Sequence, residues 1–139
     1  MNSHAPQGPL NILVVDDSAT TRAMIHRIIK MAGIPVKSVR EAPDGSSAIA
    51  LLERTTAEDA VHLILTDLNM PEMNGAQLTQ HLRSTPDFKS IPVIVVTAQP
   101  DDLYLSPILR QQVQGWLCKP FTPEAMRNAI EQALLVPAA

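Results

Sequence analysis

The sequence predicts an α/β domain built on a parallel β-sheet with helices on both faces. Apolar runs of strand length alternate along the chain with segments of helical periodicity, and there are five of each. Such alternation is typical of a parallel sheet, because each crossover between parallel strands passes through a helix. The length of 139 residues suits one domain with its own core.

The first half of the chain contains two strands and two helices whose ends are marked by capping and turn residues. A first strand covers about residues 11–16, and Ser18 caps the following helix, which ends at Gly33. A second strand at 35–42 carries charged residues between its valines, which favours an edge of the sheet. The Asp44–Gly45 turn then leads into a short second helix.

The second half of the chain continues the same alternation. Its predicted elements are, in order, a strand ending at Asp67, a helix at 75–84, strands at 93–97 and 115–118, and a helix from Pro123. Thr122 is placed to cap the last helix, and proline is favoured at the first position of a helix.

Composition and charge exclude several classes of protein. The net charge of −3 and the pI of about 5.7 give no basic surface for nucleic acid. No apolar stretch approaches the roughly 20 residues that cross a bilayer, and the N-terminus does not resemble a signal peptide. The single cysteine, Cys118, suits a reducing compartment. We therefore expect a cytoplasmic protein without direct contact to nucleic acid or membrane.

The domain boundaries follow from the same composition. Residues 1–10 are rich in proline and glycine and are predicted to be a disordered tail. The domain itself is predicted at 11–135, with a short C-terminal tail at 136–139.

Polar side chains stand where the apolar strands end. Asp16 and Asp17 close the first strand, Asp67 the third, Thr97 the fourth, and Lys119 follows the fifth. In an open parallel sheet the carboxyl ends of the strands share one rim, and ligands bind there. The sequence therefore predicts that these five residues form a site.

The chemistry of this predicted rim indicates phosphoryl transfer. Clustered carboxylates repel one another and need a counter-charge, which Lys119 and a hard divalent cation can supply. Mg²⁺ favours one or two carboxylates, water and phosphate oxygens. An aspartate beside Mg²⁺ and a lysine is a plausible nucleophile, with the ion, Lys119 and Thr97 each binding one phosphoryl oxygen.

Four motifs resemble the receiver domains of bacterial two-component response regulators, and most closely the single-domain chemotaxis type. The similarity covers about residues 10–135, and the order and spacing of the motifs agree throughout. The motifs are Val14-Val15-Asp16-Asp17-Ser18, Asp67-Leu68-Asn69-Met70-Pro71-Glu72-Met73-Asn74-Gly75, Val96-Thr97-Ala98 and Lys119-Pro120-Phe121. The resemblance implies a flavodoxin-like sheet with strand order 2-1-3-4-5.

The resemblance also implies a role for each residue of the rim. Asp67 would be the phosphoacceptor. Asp17, Asp67 and the backbone carbonyl of Asn69 would bind Mg²⁺ directly, and Asp16 would act through water. Thr97 and Lys119 would bind the phosphoryl oxygens.

Two further features are implied near the end of the fifth strand. The Lys119–Pro120 bond corresponds to a cis peptide, an isomer available at modest cost only before proline. Trp116 occupies the aromatic switch position, where strand alternation turns its ring away from Lys119 and towards a helix.

The function implied is a phosphorylation-dependent signalling switch. A sensor histidine kinase or phosphotransfer protein would phosphorylate Asp67, and the change would alter affinity for a downstream protein. Because no effector domain follows before Ala139, we expect the output to be binding to another protein. The protein would not be an enzyme in the usual sense, since it would catalyse only its own phosphorylation and dephosphorylation.

Three other interpretations remain to be weighed. A phosphohydrolase with an aspartate nucleophile uses Asp-x-Asp, whereas Asn69 stands two positions after Asp67 and cannot act as an acid. An interaction module without phosphate chemistry does not require Asp17, Asp67 and Lys119. Loss of any of the three would support this class of protein, and all three are present. The chain is also compatible with a receiver domain from a longer regulator or a hybrid histidine kinase.

Some residues have simpler structural interpretations. Trp116 is by ordinary frequencies a core residue, and it can be both core and switch. Cys118 is interpreted as a small buried apolar residue rather than a nucleophile. The four histidines lack metal-binding spacing and are expected to be structural or on the surface.

Residues 100–114 depart from the family pattern. Pro107 falls within the segment where the fourth helix is expected, and a proline inside a helix removes a hydrogen bond and clashes with the preceding turn. We therefore predict a break near Ser106 and a second piece from about Pro107. A fourth helix that is shortened, displaced or mobile would give an output face unlike that of a standard chemotaxis regulator.

Overall fold

The computed structural model describes residues 8–98 and 107–135, and they contain a five-stranded parallel sheet. Its strands are β1 (Leu10–Val15), β2 (Val36–Ala42), β3 (Leu63–Thr66), β4 (Val93–Thr97) and β5 (Gly115–Cys118). The strand order is β2-β1-β3-β4-β5, and every pairing is parallel. The predicted fold class and strand order are confirmed, including the position of the charged second strand at an edge.

Within the described residues four helices lie between successive strands, and a fifth follows β5. They are α1 (Ala19–Met31), α2 (Gly45–Arg54), α3 (Gly75–Arg83), α4 (Pro107–Gln112) and α5 (Pro123–Leu135). Ser18 caps α1 as predicted, since its side chain accepts a hydrogen bond from the Thr21 backbone N–H.

The sheet separates two apolar layers, which explains why its central strands are buried on both faces. One layer contains Leu52 of α2, Leu78 of α3 and Leu109 of α4. The opposite layer contains Ile29 of α1 and Ile130 of α5. Helices on both faces leave the two ends of the strands as the accessible parts of the sheet, and the site lies at the carboxyl end.

The segment predicted to interrupt the fourth helix is described only in part. Helix α4 begins at Pro107, where the second piece of the helix was predicted to start. The predicted first piece and the break near Ser106 fall at residues 99–106, outside the described residues. The prediction that the surface for downstream partners differs from that of a standard chemotaxis regulator therefore stays a prediction.

Two predictions for β5 were wrong, because Trp116 and Cys118 are exposed and not buried. The Trp116 side chain is 45% exposed, and the Cys118 thiol is free and exposed. Leu117 between them points into the layer of α1 and α5, so its two neighbours point to the other face of an edge strand. On that face the short α4 contributes Arg110, whose guanidinium lies 5.9 Å from the centre of the Trp116 ring. The ring faces a helix, as expected, but remains open to solvent.

The described residues begin and end close to the predicted bounds of the domain. Strand β1 begins at Leu10, one residue before the predicted domain start. The predicted tails fall mostly on residues 1–7 and 136–139, outside the described residues, and stay predictions. No helix in the described part of the chain is long and apolar enough to cross a membrane.

Candidate functional site

Three carboxylates converge at the carboxyl ends of β1 and β3. Asp16 follows β1 directly, Asp17 is next to it, and Asp67 follows β3. One oxygen from each carboxylate lies within 4.8 Å of the others. The neighbouring positions of β1 and β3 in the sheet cause this convergence. Oxygen ligands at this spacing suit a hard cation such as Mg²⁺.

Lys119 supplies the counter-charge of the cluster. Its ammonium lies 3.2 Å from Asp16 Oδ2 and 3.8 Å from Asp67 Oδ2. Its backbone N–H donates to the Thr97 carbonyl at 2.8 Å, and the Lys119–Pro120 peptide is cis, as predicted. The lysine is therefore placed between the two carboxylates by the end of β5.

The two carboxylate oxygens of Asp67 have different surroundings. Oδ1 accepts hydrogen bonds from the backbone N–H of Leu68 at 2.7 Å and, more weakly, of Asn69 at 3.4 Å. Oδ2 faces the Lys119 ammonium. This asymmetry leaves Oδ2 as the oxygen directed towards the cluster.

Burial raises the pKa of Asp67 above its ordinary value. The Lys119 ammonium acts in the opposite direction, the Asp16 carboxylate adds to the increase, and the backbone N–H groups of Asn69 and Leu68 oppose it. Desolvation is the largest influence on this pKa, since the carboxylate is half-buried at the carboxyl end of the central strand β3. A cation bound by the cluster would favour the ionised form.

Asp16 is almost fully buried, and its carboxylate and carbonyl oxygens accept hydrogen bonds from several residues. Oδ1 accepts from the Ser18 N–H at 2.8 Å, and Oδ2 is paired with Lys119. Its carbonyl oxygen accepts a hydrogen bond of 2.6 Å from the Arg22 guanidinium. Asp17 beside it is exposed.

Two of the other predicted residues, Thr97 and Asn69, lie at the carboxyl ends of the strands, whereas Trp116 lies away from the carboxylate cluster. Thr97 is buried at the end of β4, next to the end of β5. Asn69 lies two residues beyond Asp67 in the loop that precedes α3. Trp116 pairs with Val95, earlier in the strands, and its ring packs with Arg110 and does not join the cluster.

Sequence reasoning missed two residues that shape the site. Gly75 was interpreted only as a helix start, but a Cβ there would collide with the Asp67 carbonyl oxygen. The glycine therefore lets α3 pack against the backbone of Asp67, and its place just after the Asn74 cap was the available signal. Arg22 was not considered, because its contacts depend on β2 lying beside β1.

Comparison with known proteins identifies the family. The model of the response regulator receiver domain family matches residues 12–131. The chain belongs to this family. Chemotaxis protein CheY1 of Helicobacter pylori (strain ATCC 700392 / 26695) is 35% identical over 125 residues, which cover 90% of this chain and 97% of that protein. The chain is therefore a CheY-like receiver domain of two-component signalling, as the motifs predicted.

Solved structures agree with this assignment. The chemotaxis response regulator CheY4 of Vibrio cholerae has a TM-score of 0.73 and 28% identity, with 90% of this chain and 98% of that chain covered. The signal receiver domain of a signal transduction histidine kinase from Syntrophus aciditrophicus has a TM-score of 0.71 and 29% identity, with 90% of this chain and 89% of that chain covered. The same fold therefore serves both chemotaxis regulators and histidine kinases.

Proposed function

We propose that this receiver domain is a phosphorylation-dependent switch in which Asp67 accepts a phosphoryl group from a histidine kinase or phosphotransfer protein. The observation that carries the proposal is the Lys119 ammonium, which lies within 3.8 Å of both Asp16 and Asp67 carboxylate oxygens. A cation held in this position by buried acids is suited to the charge of a transferring phosphoryl group.

Asp67 Oδ2 is the proposed nucleophile. It attacks the phosphorus of a phosphohistidine, an O–P bond forms, and the N–P bond breaks with its electron pair remaining on the imidazole nitrogen. Oδ1 keeps its backbone N–H donors and becomes the carbonyl oxygen of the acyl phosphate. Two fixed donors on one oxygen hold the carboxylate in a single orientation during attack.

The phosphoryl oxygens are bound by residues already at the rim. Lys119 moves from its carboxylate partners to one oxygen, and the Thr97 hydroxyl donates to another. Asp17, Asp67 and the Asn69 carbonyl are the proposed Mg²⁺ ligands, with Asp16 acting through water. When bound there, Mg²⁺ neutralises negative charge on the phosphoryl group.

The proposed output is a change in affinity for a protein partner. Thr97 ends β4 beside β5, so its movement towards a phosphoryl group would alter the face formed by β5 and α4. Trp116 lies on that face, and the nearby helix α4 carries Ile108 with 71% of its surface exposed. The switch requires a partner that binds the two states with different affinity.

The alternative concerns the protein context of the domain. A receiver domain within a longer regulator or hybrid histidine kinase would use the same site, and the similarity to a histidine kinase receiver favours this possibility. Cytoplasmic location stays a prediction in either case.

The direct test uses phosphoramidate, a small donor with an N–P bond like that of phosphohistidine. We expect intact mass spectrometry to show the gain of one phosphoryl group with Mg²⁺, and no gain when EDTA replaces Mg²⁺. A phosphorylation yield that is independent of Mg²⁺, or none at all, would contradict the proposal. Turnover of an external phosphoester by the protein would instead support the phosphohydrolase interpretation.

A further inference from the structure

Arg22 links helix α1 to the backbone of Asp16, which follows β1, and to Glu41 of β2. Its side chain is 17% exposed, and its Nη1 donates to the Asp16 carbonyl at 2.6 Å. Its Nε donates to Glu41 Oε1 at 2.8 Å. The planar guanidinium therefore engages two acceptors on two different strand ends at once.

The carbonyl that Arg22 holds belongs to the peptide group between Asp16 and Asp17. Its orientation decides how the Asp17 backbone leaves β1, and hence where the exposed Asp17 carboxylate can reach. Other contacts fix Asp16 itself, through its N–H to the Ala42 carbonyl and its Oδ1 to the Ser18 N–H. The Asp17 side chain has no hydrogen bond among the described residues, and two contacts flank the residue: the Arg22 bond to the preceding peptide, and the bond from the Ser18 N–H to Asp16 Oδ1, which spans it.

Glu41 orients the guanidinium. It lies on β2 opposite Val14 of β1, next to the end of the strand. Its carboxylate pairs with Arg22 Nε, which leaves Nη1 directed at the Asp16 carbonyl. The pair connects α1, β1 and β2 beside the carboxylate cluster.

We propose that Arg22, oriented by Glu41, is a positioning residue for the Mg²⁺ site. It acts through the Asp16–Asp17 peptide and does not itself touch the ion. This inference rests on the proposed function, because it assigns a residue that supports the same site. Partners of metal ligands typically change metal affinity by about 10-fold to 100-fold when they are removed.

The charge of Arg22 and its positioning role predict opposite changes in Mg²⁺ affinity when the residue is removed. Arg22 brings a positive charge close to the carboxylate cluster, so its removal would strengthen cation binding if charge alone mattered. Loss of the hydrogen bond to the Asp16 carbonyl would weaken binding, because Asp17 would be held on one side only, by the turn that ends at the Ser18 N–H. The direction of the change therefore separates the two effects.

The test is the Mg²⁺ dissociation constant of the full chain, measured from amide NMR shifts during titration with MgCl₂. Arg22→Met keeps the apolar stem and removes both donors. Arg27→Met is the matched control, since Arg27 lies exposed on the same helix and its loss changes the net charge equally. Arg22→Lys tests rescue by a residue that keeps the charge and one donor.

We expect Arg22→Met to bind Mg²⁺ about ten-fold more weakly, Arg22→Lys to recover part of the affinity, and Arg27→Met to bind like the wild type or slightly more tightly. Wild-type affinity or tighter binding in Arg22→Met would overturn the inference and leave the proposed function intact. If the wild-type protein shows no Mg²⁺-dependent shifts at Asp17 and Asp67, the proposed function fails as well.

Discussion

At the scale of single residues, the raised pKa of Asp67 has a consequence for stability. A group whose pKa is higher in the folded state contributes stability at low pH, and this contribution is lost as the pH rises through the folded pKa. Ionised Asp67 therefore lowers the stability of the cation-free protein at neutral pH, because its burial outweighs the attraction of Lys119.

We predict that Asp67→Asn is at least as stable as the wild type at neutral pH when no divalent cation is present. Asparagine keeps an acceptor for the Leu68 N–H and carries no charge into the half-buried position. Urea unfolding monitored by circular dichroism in EDTA measures the difference. A clear loss of stability in the variant would show that the carboxylate's pairing with Lys119 outweighs its desolvation.

His62 provides a second prediction, concerning pH. Burial lowers the pKa of His62, and the charge of Lys37 lowers it further. Its Nδ1 accepts a hydrogen bond of 2.9 Å from the Asn11 N–H, which only the neutral ring can do. Because the pKa is lower in the folded state, the unfolded chain binds the proton more readily as the pH falls. The contribution of neutral His62 to stability is therefore fully present above about pH 6.5, the ordinary pKa of histidine, and is lost as the pH decreases further.

We predict that wild-type stability decreases from about pH 7.5 to about pH 5.5 by more than that of His62→Gln, which has no proton to gain at this position. The urea midpoint at the two pH values is the measurement. An equal decrease in both proteins would assign the pH dependence to other groups.

Single-residue features are where the sequence was least informative. Asp67 and Lys119 could be predicted because each follows an apolar run at a strand end. Arg22 could not, because its two acceptors come from β1 and β2 and nothing in its local sequence distinguishes it from the exposed Arg27. The exposure of Cys118 likewise depends on the position of β5 at the edge of the sheet.

At the scale of elements, α3 must approach the strand that carries Asp67. The N–H of Gly75, the first residue of α3, donates to the Leu68 carbonyl at 3.0 Å, and a Cβ on Gly75 would meet the Asp67 carbonyl oxygen and the Leu68 Cα. Those are backbone atoms, so the clash can be relieved only by moving the helix or the strand end.

We predict that Gly75→Ala lowers the free energy of unfolding by about 1–3 kcal/mol, the usual cost of overpacking. Phosphoryl uptake should decrease in the same variant, because Asp67 moves. Gly115→Ala is the matched control, since its Cβ would lie 3.7 Å from Ile94, an ordinary contact. If the two variants were equally stable in urea, the close approach of α3 would not be required.

Arg83 connects α3 to α4 and to the segments that precede β4 and β5. Nε donates to the Gln112 carbonyl at 3.0 Å, Nη1 to the Ile91 carbonyl at 2.8 Å, and Nη2 to Gln114 Oε1 at 2.7 Å. Burial lowers its pKa, and its acceptors are backbone carbonyls and an amide, not a carboxylate. The arginine therefore holds the C-terminal end of α4 against α3.

We predict that Arg83→Met destabilises the protein by about 1–3 kcal/mol, because buried carbonyl groups lose their donors. Hydrogen exchange of residues 107–114 should accelerate in the variant. Arg54→Met, at the exposed end of α2, is the control and should leave both measurements unchanged. Equal exchange in the two variants would contradict this role.

The positions of helices and strands could be predicted where capping residues or apolar runs mark them within a few residues. Ser18, Thr122 and the apolar runs of the strands act within a few residues, so their positions could be read from the sequence. The burial of a side chain on an edge strand is not local. Trp116 was therefore assigned to the right strand with the wrong exposure.

At the scale of the whole molecule, the site exists only because the sheet is parallel. Asp16 and Lys119 are 103 residues apart in the sequence and 3.2 Å apart in space. The topological rule that ligands bind at the carboxyl edge of such a sheet allowed this convergence to be predicted. The rule gives the edge but not the distances, which depend on the packing of α1, α3 and the β-strand ends.

The proposed switch depends on Asp67 being the phosphoacceptor. Asp67→Asn removes the nucleophilic oxygen and preserves the shape of the side chain. Asp87→Asn, an exposed acid in the loop before β4, is the matched control. Both variants keep Asp16, Asp17 and Lys119, and Asp67→Asn also keeps one side-chain oxygen as a ligand for the cation.

The decisive measurement is the intact mass of both variants after incubation with phosphoramidate and Mg²⁺. We expect Asp87→Asn to gain one phosphoryl group at the wild-type rate and Asp67→Asn to gain none. A phosphoryl group acquired by Asp67→Asn at the wild-type rate would contradict the assignment of Asp67 as the phosphoacceptor.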